Sequence, residues 1–235
     1  IKTDKLTKRP KLENTLATDM QVIGAVQRES KENTVVMCAA GTMPGELHKI
    51  WKAGIPGSYH MEYGFSCMGY EIAGALGIKM ADPERDVICF TGDGTYMMAN
   101  SELATAAMMK VDFTGIVTDN RGFGCINRLQ IGTGGAEFNN LFQHAYMGEN
   151  LFIDFTAHAA SMGATAKKVA SIKELEEALS NRHSISGPYV IVIDTDPYPS
   201  TPYGGTWWDV AVPEVSERTE VNEKFDAYVQ SKLNP

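Results

Sequence analysis

Oxygen-bearing residues follow two segments of the sequence that have the composition of buried β-strands. The segment 86–91 runs directly into a turn that contains Asp93, and the segment 113–118 ends shortly before Asn120 and Gly122. Because parallel strands present their carboxyl ends at one edge of a sheet, we expect these turns to lie close together if the strands are neighbours. A carboxylate, an amide oxygen and a backbone carbonyl are hard ligands that suit Mg²⁺. The spacing therefore predicts a magnesium site formed by Asp93, Asn120 and the Gly122 carbonyl.

The residues around Asp93 have the types needed to hold a phosphate group. Gly92 and Gly94 let the backbone approach a ligand closely, and Thr95 adds a hydroxyl and a backbone N–H. The chain carries a net charge of −8, so an anionic ligand needs a local source of positive charge. A divalent cation between Asp93 and a diphosphate would supply that charge. We therefore predict a metal-bridged diphosphate site in preference to a plain Gly-Asp-Gly turn.

Other kinds of catalytic and metal site are poorly supported by the sequence. Ser66 is followed by Cys-Met-Gly and so does not form the Gly-x-Ser-x-Gly turn of serine hydrolases. The segment 92–97 lacks the third glycine of a dinucleotide-binding fingerprint. No two cysteines have the C-x-x-C spacing, which argues against zinc and iron–sulfur sites and indicates free thiols in a reducing cytosol. The cysteines are Cys38, Cys67, Cys89 and Cys125.

The alternation of apolar segments predicts an α/β fold, a doubly wound and mostly parallel sheet flanked by helices. Strands are predicted at residues 34–39, 86–91, 113–118, 164–169 and 189–194. Helices are predicted at residues 44–51, 69–81, 101–110, 154–162, 172–181 and about 216–233. Residues 122–150 are rich in glycine and amide side chains, and we expect a long loop that is poorly ordered without a ligand or a partner.

The chain is expected to contain one main domain with a segment on either side. We place a leading segment or linker at 1–17, a diphosphate- and magnesium-binding domain at 18–200 and an extension at 201–235. Trp207 and Trp208 are predicted to anchor this extension by packing, in preference to forming a stacking platform for a ligand.

Composition excludes several kinds of partner. Negative net charge argues against nucleic acid, because binding to a phosphate backbone needs clustered lysines and arginines. The longest apolar stretches have the length of strands, so we expect no membrane span. The basic, polar segment 1–11 lacks the apolar core of a signal peptide, and we expect a cytoplasmic protein. Because the sequence begins with Ile1, its start is either processed or internal to a longer chain.

Two motifs resemble those of a known enzyme superfamily. The motif Gly92-Asp93-Gly94 followed by Asn120 resembles the thiamine diphosphate signature of the superfamily that includes acetolactate synthase and pyruvate decarboxylase. Upstream, residues 63–70 are similar to the segment that holds the cofactor's aminopyrimidine in that superfamily. The cofactors implied by this resemblance are thiamine diphosphate and Mg²⁺.

The resemblance also implies roles for three residues outside the Gly-Asp-Gly turn. The backbone of Ser66 is expected to contact the pyrimidine amino group, and Met68 is expected to be the apolar wedge that bends the cofactor. Thr42 falls where the superfamily places a further diphosphate contact. His60 and Glu62 lead into this segment, and the sequence leaves open whether they face the substrate or have a structural role.

A narrower resemblance concerns the runs at 59–71 and 205–210. Both look like the 3D-(3,5/4)-trihydroxycyclohexane-1,2-dione hydrolases, the ring-opening enzymes of myo-inositol catabolism. The similarity extends over about residues 18–215 but covers only the C-terminal third of that family's polypeptide. It implies thiamine diphosphate- and Mg²⁺-dependent hydrolysis of a C–C bond in a cyclic trihydroxy-1,2-dione. The alternative is an acetolactate synthase-like carboligase or decarboxylase acting on 2-oxo acids, since both share the diphosphate site.

The family resemblance also implies that this chain holds only part of an active site. In that superfamily the glutamate that activates the cofactor belongs to the pyrimidine-binding domain of a neighbouring subunit. We therefore expect no catalytic residue within this chain, no activity from the chain alone, and a homodimer or homotetramer when the protein is full length. The sequence leaves open which residues of the 122–150 segment contact the substrate, including Arg121 and Arg128 at or near it.

Overall fold

The chain folds around a parallel β-sheet. The computed structural model describes residues 3–10, 15–62, 64–146, 152–201 and 209–233. Within them, the strands are β1 (Thr34–Cys38), β2 (Tyr59–Met61), β3 (Asp86–Gly92), β4 (Thr114–Asp119), β5 (Thr165–Val169) and β6 (Tyr189–Asp194). They lie in the order β2-β1-β3-β4-β6-β5, and all the neighbouring pairs are parallel. The predicted α/β class is confirmed.

Helices cover both faces of this sheet. They are α1 (Asp19–Glu29), α2 (Thr42–Ile50), α3 (Tyr70–Ala81), α4 (Asp93–Met98), α5 (Glu102–Met109), α6 (Gly124–Gly132), α7 (Phe155–Ser161), α8 (Ile172–Ser180) and α9 (Thr219–Leu233). Helices α1, α2 and α8 contribute to one buried apolar cluster, and α3, α5 and α7 to another. None of the helices in the described part of the chain combines the length and hydropathy that a bilayer crossing requires.

The central strands supply both apolar clusters because successive side chains point to opposite faces of a sheet. In β6, Ile191 and Ile193 join the cluster under α1, while Val190 and Val192 join the cluster under α3. A strand covered on both faces must be apolar throughout, which explains why the sequence shows continuous apolar runs there. The sheet is therefore doubly wound, as predicted.

The order in which the strands are added to the sheet reverses beside β1. From β1 the chain moves outward to the edge strand β2, and then returns to β3 on the other side of β1. At such a switch point, the loops that follow the two central strands diverge and leave a crevice at the carboxyl edge of the sheet. The loop after β1 leads into α2, and the turn after β3 leads into α4. The topology thus places the Gly-Asp-Gly turn at the edge of this crevice.

The structure differs from the sequence-based prediction at three helices, and one of them is α4, where only a turn was predicted. Helix α1 was not predicted, although Thr18 and Gln21 form a capping box at its start. Residues 122–150 were predicted to be a long loop, but they contain α6 and a 3₁₀ turn at Phe142–His144. Polar side chains within the segment bond to each other, as Asn127 does to Glu137 at 2.9 Å. Amides of this segment thus form hydrogen bonds within it, and its poor order without a ligand or a partner stays a prediction.

Residues on either side of the main domain also contact it. In the leading segment, Leu6 packs against the apolar cluster of α1, and Arg9 bonds to the buried Glu176 of α8 at 2.6 Å. At the start of the extension, the Thr201 amide donates to the Glu46 carboxylate of α2 at 3.1–3.2 Å. The paired tryptophans 207 and 208 lie outside the described residues. The division into three parts remains a prediction.

A buried ion pair joins the 3₁₀ turn Arg182–Ser184, which follows α8, to the start of β3. The Arg182 guanidinium, 3% exposed, donates to both carboxylate oxygens of Asp86, at 3.1 and 2.6 Å. Burial raises the pKa of Asp86, but hydrogen bonds from Arg182 and Thr34 outweigh burial, so the pKa lies below its ordinary value. The same guanidinium donates to the Glu29 carbonyl of α1 at 3.0 Å. This arginine thus links its own turn to the start of β3 and the end of α1.

Replacing Arg182 with Met should lower the free energy of unfolding by about 3 kcal/mol, because it leaves the Asp86 carboxylate buried and unpaired. Urea denaturation followed by circular dichroism measures this. The matched control is Lys52→Met, which removes an exposed pair with Asp4 and should change stability by less than about 1 kcal/mol. Equal losses in the two variants would contradict the prediction.

Candidate functional site

A cavity of about 260 Å³ lies at the carboxyl edge of the sheet, beside the switch point. All nine residues that the sequence predicts to contact a metal ion or cofactor line it. They are Thr42, Ser66, Met68, Gly92, Asp93, Gly94, Thr95, Asn120 and Gly122. These residues come from the segments that follow β1, β2, β3 and β4. The fold thus gathers into one cavity residues that lie up to 80 positions apart in sequence.

Asp93 and Asn120 are adjacent because β3 and β4 pair in parallel, with Gly92 opposite Thr118. Asp93 is 3% exposed and Asn120 is 6% exposed. One Asp93 oxygen, Oδ2, accepts a hydrogen bond from the Gly122 amide at 2.8 Å. The other, Oδ1, is buried without a hydrogen-bond partner, and so is Oδ1 of Asn120. Two hard oxygen ligands are therefore left unsatisfied in one cavity.

Burial is costly for the Asp93 carboxylate. Desolvation raises its pKa to about 7, and the nearby Asp119 carboxylate adds to this increase. Backbone amides of Gly122 and Gly94 act in the opposite direction without offsetting the burial. A cation bound at Oδ1 would favour the charged carboxylate. The donor set and its unsatisfied oxygens thus fit the predicted Mg²⁺ ion.

The turn after β4 is fixed by an unusual backbone geometry. Gly122 has a φ of +145°, and the preceding Arg121 has a φ of +63°. Hydrogen bonds on either side hold the turn against the 140–142 segment: Phe123 N donates to the Asn140 carbonyl at 2.7 Å, and Phe142 N donates to the Arg121 carbonyl at 2.9 Å. This bracing orients the Gly122 amide towards Asp93.

On the other side of the cavity, a carboxylate holds the turn that contains Ser66. The Glu62 side chain accepts hydrogen bonds from the backbone amides of Cys67, at 2.6 Å, and Phe65, at 3.2 Å. These bonds, with Cys67 first, lower the pKa of Glu62. The Ser66 hydroxyl donates to the Ala39 carbonyl at 3.4 Å. Glu62 therefore has a structural role, which resolves one of the alternatives left open by the sequence.

The remaining candidates from the sequence lie away from the cavity. Arg121 extends towards Asp119 and Asp194, with its nitrogens 3.7 and 3.6 Å from their carboxylates. Arg128 donates to the Pro197 carbonyl at 2.5 Å and lines a neighbouring cavity of about 490 Å³ between α2, α6 and α9. His60 does not line the site cavity but stacks on Tyr70.

The described residues give no support for a nucleophilic cysteine or for a metal centre built on histidine or cysteine. Burial raises the pKa of Cys38 and Cys89, and burial with the Glu62 charge raises that of Cys67, so none of these thiols is activated. Among the described residues, no group of three or more His, Cys, Asp or Glu side chains is placed to hold a metal ion. A magnesium site with one carboxylate, one amide and one carbonyl is not a cluster of that kind.

Sequence reasoning missed the residues that α6 contributes. Phe123, at its start, and Cys125, Ile126 and Leu129 also line the cavity. Cys125 and Leu129 are four positions apart and Ile126 and Leu129 three, a spacing that favours one face of a helix. The neighbouring glycines and amides obscured this signal. The apolar wall that α6 gives the cavity was therefore absent from the prediction.

Comparison with known proteins identifies the family. Residues 39–193 match the sequence model described as "Thiamine pyrophosphate enzyme, C-terminal TPP binding domain". The chain belongs to the thiamine pyrophosphate enzymes. The matched range begins directly after β1 and ends within β6, and it contains every residue that lines the predicted site cavity.

Two Bacillus proteins with similar sequences share one name. A Bacillus cereus (strain AH820) protein named 3D-(3,5/4)-trihydroxycyclohexane-1,2-dione hydrolase is 38% identical over 227 residues, which cover 92% of this chain. A Bacillus thuringiensis (strain Al Hakam) protein of the same name is 38% identical over 224 residues and 91% of the chain. The chain spans 35% and 34% of the lengths of these relatives.

A solved thiamine pyrophosphate enzyme shares the fold. It is described as a Rhodococcus jostii RHA1 thiamine diphosphate-dependent 4-hydroxybenzoylformate decarboxylase. The superposition has a TM-score of 0.68 and covers 80% of this chain and 34% of that one. Sequence identity is 19%, so the likeness supports the fold alone.

Two glycines of the site should respond differently to replacement by alanine. At Gly122 a Cβ atom would overlap the Asn140 carbonyl oxygen and lie 2.9 Å from the Leu141 Cα, and φ is positive. We expect Gly122→Ala to lower the free energy of unfolding by about 1–3 kcal/mol. At Gly92 the Cβ would meet no atom within 4 Å, and its φ of −75° suits alanine. Gly92→Ala should therefore unfold at nearly the wild-type urea concentration, and a loss equal to that of Gly122→Ala would refute this account.

Proposed function

We propose that this chain binds thiamine diphosphate through Mg²⁺ and forms part of an enzyme that hydrolyses a C–C bond in a cyclic trihydroxy-1,2-dione, opening the ring during myo-inositol catabolism. The observation that carries the proposal is the pair of buried, unpartnered oxygens on Asp93 and Asn120 within a cavity lined by the predicted cofactor contacts. The names of the similar Bacillus proteins support the substrate and the reaction.

Each part of the cofactor would have its own set of residues. Asp93, Asn120 and the Gly122 carbonyl would hold the metal ion. The diphosphate would be held by Gly92, Gly94, Thr95 and Thr42, whose glycines admit close backbone approach. The pyrimidine would contact the Ser66 backbone and rest on Met68, and both residues line the cavity.

The chain's own residues would bind and orient the cofactor. When bound, thiamine diphosphate supplies a carbon nucleophile and a group that accepts the electrons released as a bond next to a carbonyl breaks. The side chains of Met68, Phe123 and Ile126 would exclude water from one side of that centre. Asp93 is the one acid that lines the cavity in the described part of the chain, and the metal ion would occupy it. An acid that activates the pyrimidine must then come from another domain.

Exposed apolar side chains near the site support such a partner domain. Phe65 in the Ser66 turn is 92% exposed, and Met97 and Met98 at the end of α4 are 45% and 54% exposed. Large exposed apolar side chains grouped around a site are typical of a protein interface. We propose that a pyrimidine-binding domain of a neighbouring subunit covers this side, in a homodimer or homotetramer.

The metal proposal predicts that thiamine diphosphate binding requires Mg²⁺ and both unsatisfied oxygens. Asp93→Asn and Asn120→Ala should each weaken binding at least about tenfold, a change of about 1.4 kcal/mol. Isothermal titration calorimetry with and without EDTA measures this. Asp226→Asn, which removes the same charge from the exposed face of α9, is the matched control and should bind normally. Equal affinity in EDTA would rule out the metal bridge.

The partner proposal predicts that a protein made of these 235 residues turns over no substrate with saturating cofactor and magnesium. Loss of general acid–base assistance costs about 10²–10⁴-fold, and poor orientation of the pyrimidine costs more. The measurements are deuterium exchange at the cofactor's C2 position, followed by NMR, and ring opening of the dione. A full-length Bacillus relative serves as the positive control. Comparable exchange in the two proteins would mean that this chain carries its own activating acid.

A carboligase or decarboxylase would share the cofactor site but need a different substrate. With the full-length protein, consumption of the cyclic dione without any 2-oxo acid would support the hydrolase. Turnover that depends on a 2-oxo acid would instead support the acetolactate synthase-like alternative.

A further inference from the structure

A second buried acid lies next to the cofactor cavity without lining it. Glu71, in the first turn of α3, is 1% exposed. The described residues contain no cationic side chain in an ion pair with it. Burial raises its pKa to about 7, although several backbone amides oppose this increase. The neighbouring titratable groups are the buried thiols of Cys38 and Cys89, whose pKa values are raised by burial first and by the Glu71 charge second.

Glu71 joins two parts of the cavity wall. Its Oε1 accepts a hydrogen bond from the Ala40 amide at 3.3 Å, and its Oε2 accepts one from the Gly69 amide at 3.0 Å. Ala40 belongs to what we call the diphosphate-side loop, residues 40–42, which follows β1. Gly69 ends what we call the pyrimidine-side turn, residues 66–69, which precedes α3. Both segments line the cavity.

The two oxygens of one carboxylate thus set the distance between these segments. A neutral amide could not replace the carboxylate, because its NH₂ group would face a backbone N–H that needs an acceptor. Next to this link, the Ser66 hydroxyl donates to the carbonyl of Ala39, the residue before the diphosphate-side loop, at 3.4 Å. The Glu62 carboxylate accepts the amides of Cys67, within the same turn, and of Phe65, directly before it.

We propose that Glu71 is a positioning residue that holds the pyrimidine-side turn at the correct distance from the diphosphate-side loop. The inference rests on the proposed function, because it assumes that one cofactor contacts both segments. A ligand that reaches both should depend on Glu71. A ligand that occupies only the metal–diphosphate end should depend on it much less, since Asp93, Gly94, Thr95 and Asn120 are held by β3 and β4 and Thr42 alone of its proposed contacts lies in the loop that Glu71 holds.

The test compares two ligands, each with Mg²⁺: thiamine diphosphate and inorganic diphosphate. Calorimetry gives both dissociation constants for the wild-type chain, Glu71→Gln and Glu71→Ala. We expect thiamine diphosphate to bind about tenfold more weakly to both variants, a change of about 1.4 kcal/mol. Inorganic diphosphate should bind within about twofold of wild type. A general loss of stability would weaken the binding of both ligands alike, so it would not change the ratio of the two affinities.

Glu176→Gln is the matched control, because Glu176 is also a buried acid, 4% exposed, but lies on α8 with Arg9 and Arg28. It should change stability without changing the affinity ratio. If Glu71→Ala does not fold, Glu71→Gln decides alone. An unchanged ratio in the Glu71 variants, or equal losses for both ligands, would overturn the inference while leaving the proposed function intact. Failure of the wild-type chain to bind either ligand would overturn both.

Discussion

The cost of burying the Asp93 carboxylate is the constraint on which the rest of the site depends. The carboxylate lies beside a second acid, Asp119, in a chain of net charge −8, and one of its oxygens has no hydrogen-bond partner. The proposed ligand is also an anion, so it would add to the repulsion. A divalent cation between the Asp93 carboxylate and the anionic ligand would attract both, so that two attractive interactions would replace the repulsion. None of the described residues that line the cavity is basic, which is consistent with a site built for a metal-bridged anion.

The parallel sheet satisfies this constraint through its geometry. Strands β3 and β4 are neighbours in register, so the turns that follow them present Asp93 and Asn120 side by side. The switch point beside β1 opens space in front of these turns for a ligand. Buried apolar clusters on both faces fix the strands, and the braced turn at Gly122 then orients an amide towards Asp93. The packing of the whole sheet thus fixes the relative positions of Asp93 and Asn120, which no local interaction could do.

Carboxylates recur as braces on the other side of the cavity. Glu62 and Glu71 both accept backbone N–H groups around the turn that contains Ser66. A carboxylate can bind two amides at once and so can fix a turn that has few apolar contacts of its own. Beyond this turn, the exposed Phe65 leaves the wall incomplete within the chain. The proposed partner domain would supply the second surface that completes this rigid half-site.

The sequence by itself determined the α/β class and most strand positions, and it predicted the residues of the proposed metal–diphosphate site, which the structure gathers in one cavity. These depend on local patterns: apolar runs between turns, and a Gly-Asp-Gly turn directly after a strand. Tertiary structure alone decided that α6 forms a wall of the cavity, that Glu62 is structural and that Glu71 joins two loops. Ala40 and Gly69 lie 29 residues apart, and nothing in the local sequence indicates that their amides meet one carboxylate. Such contacts exist only after the sheet has brought distant segments together, because burial and hydrogen-bond partners are set by non-local packing.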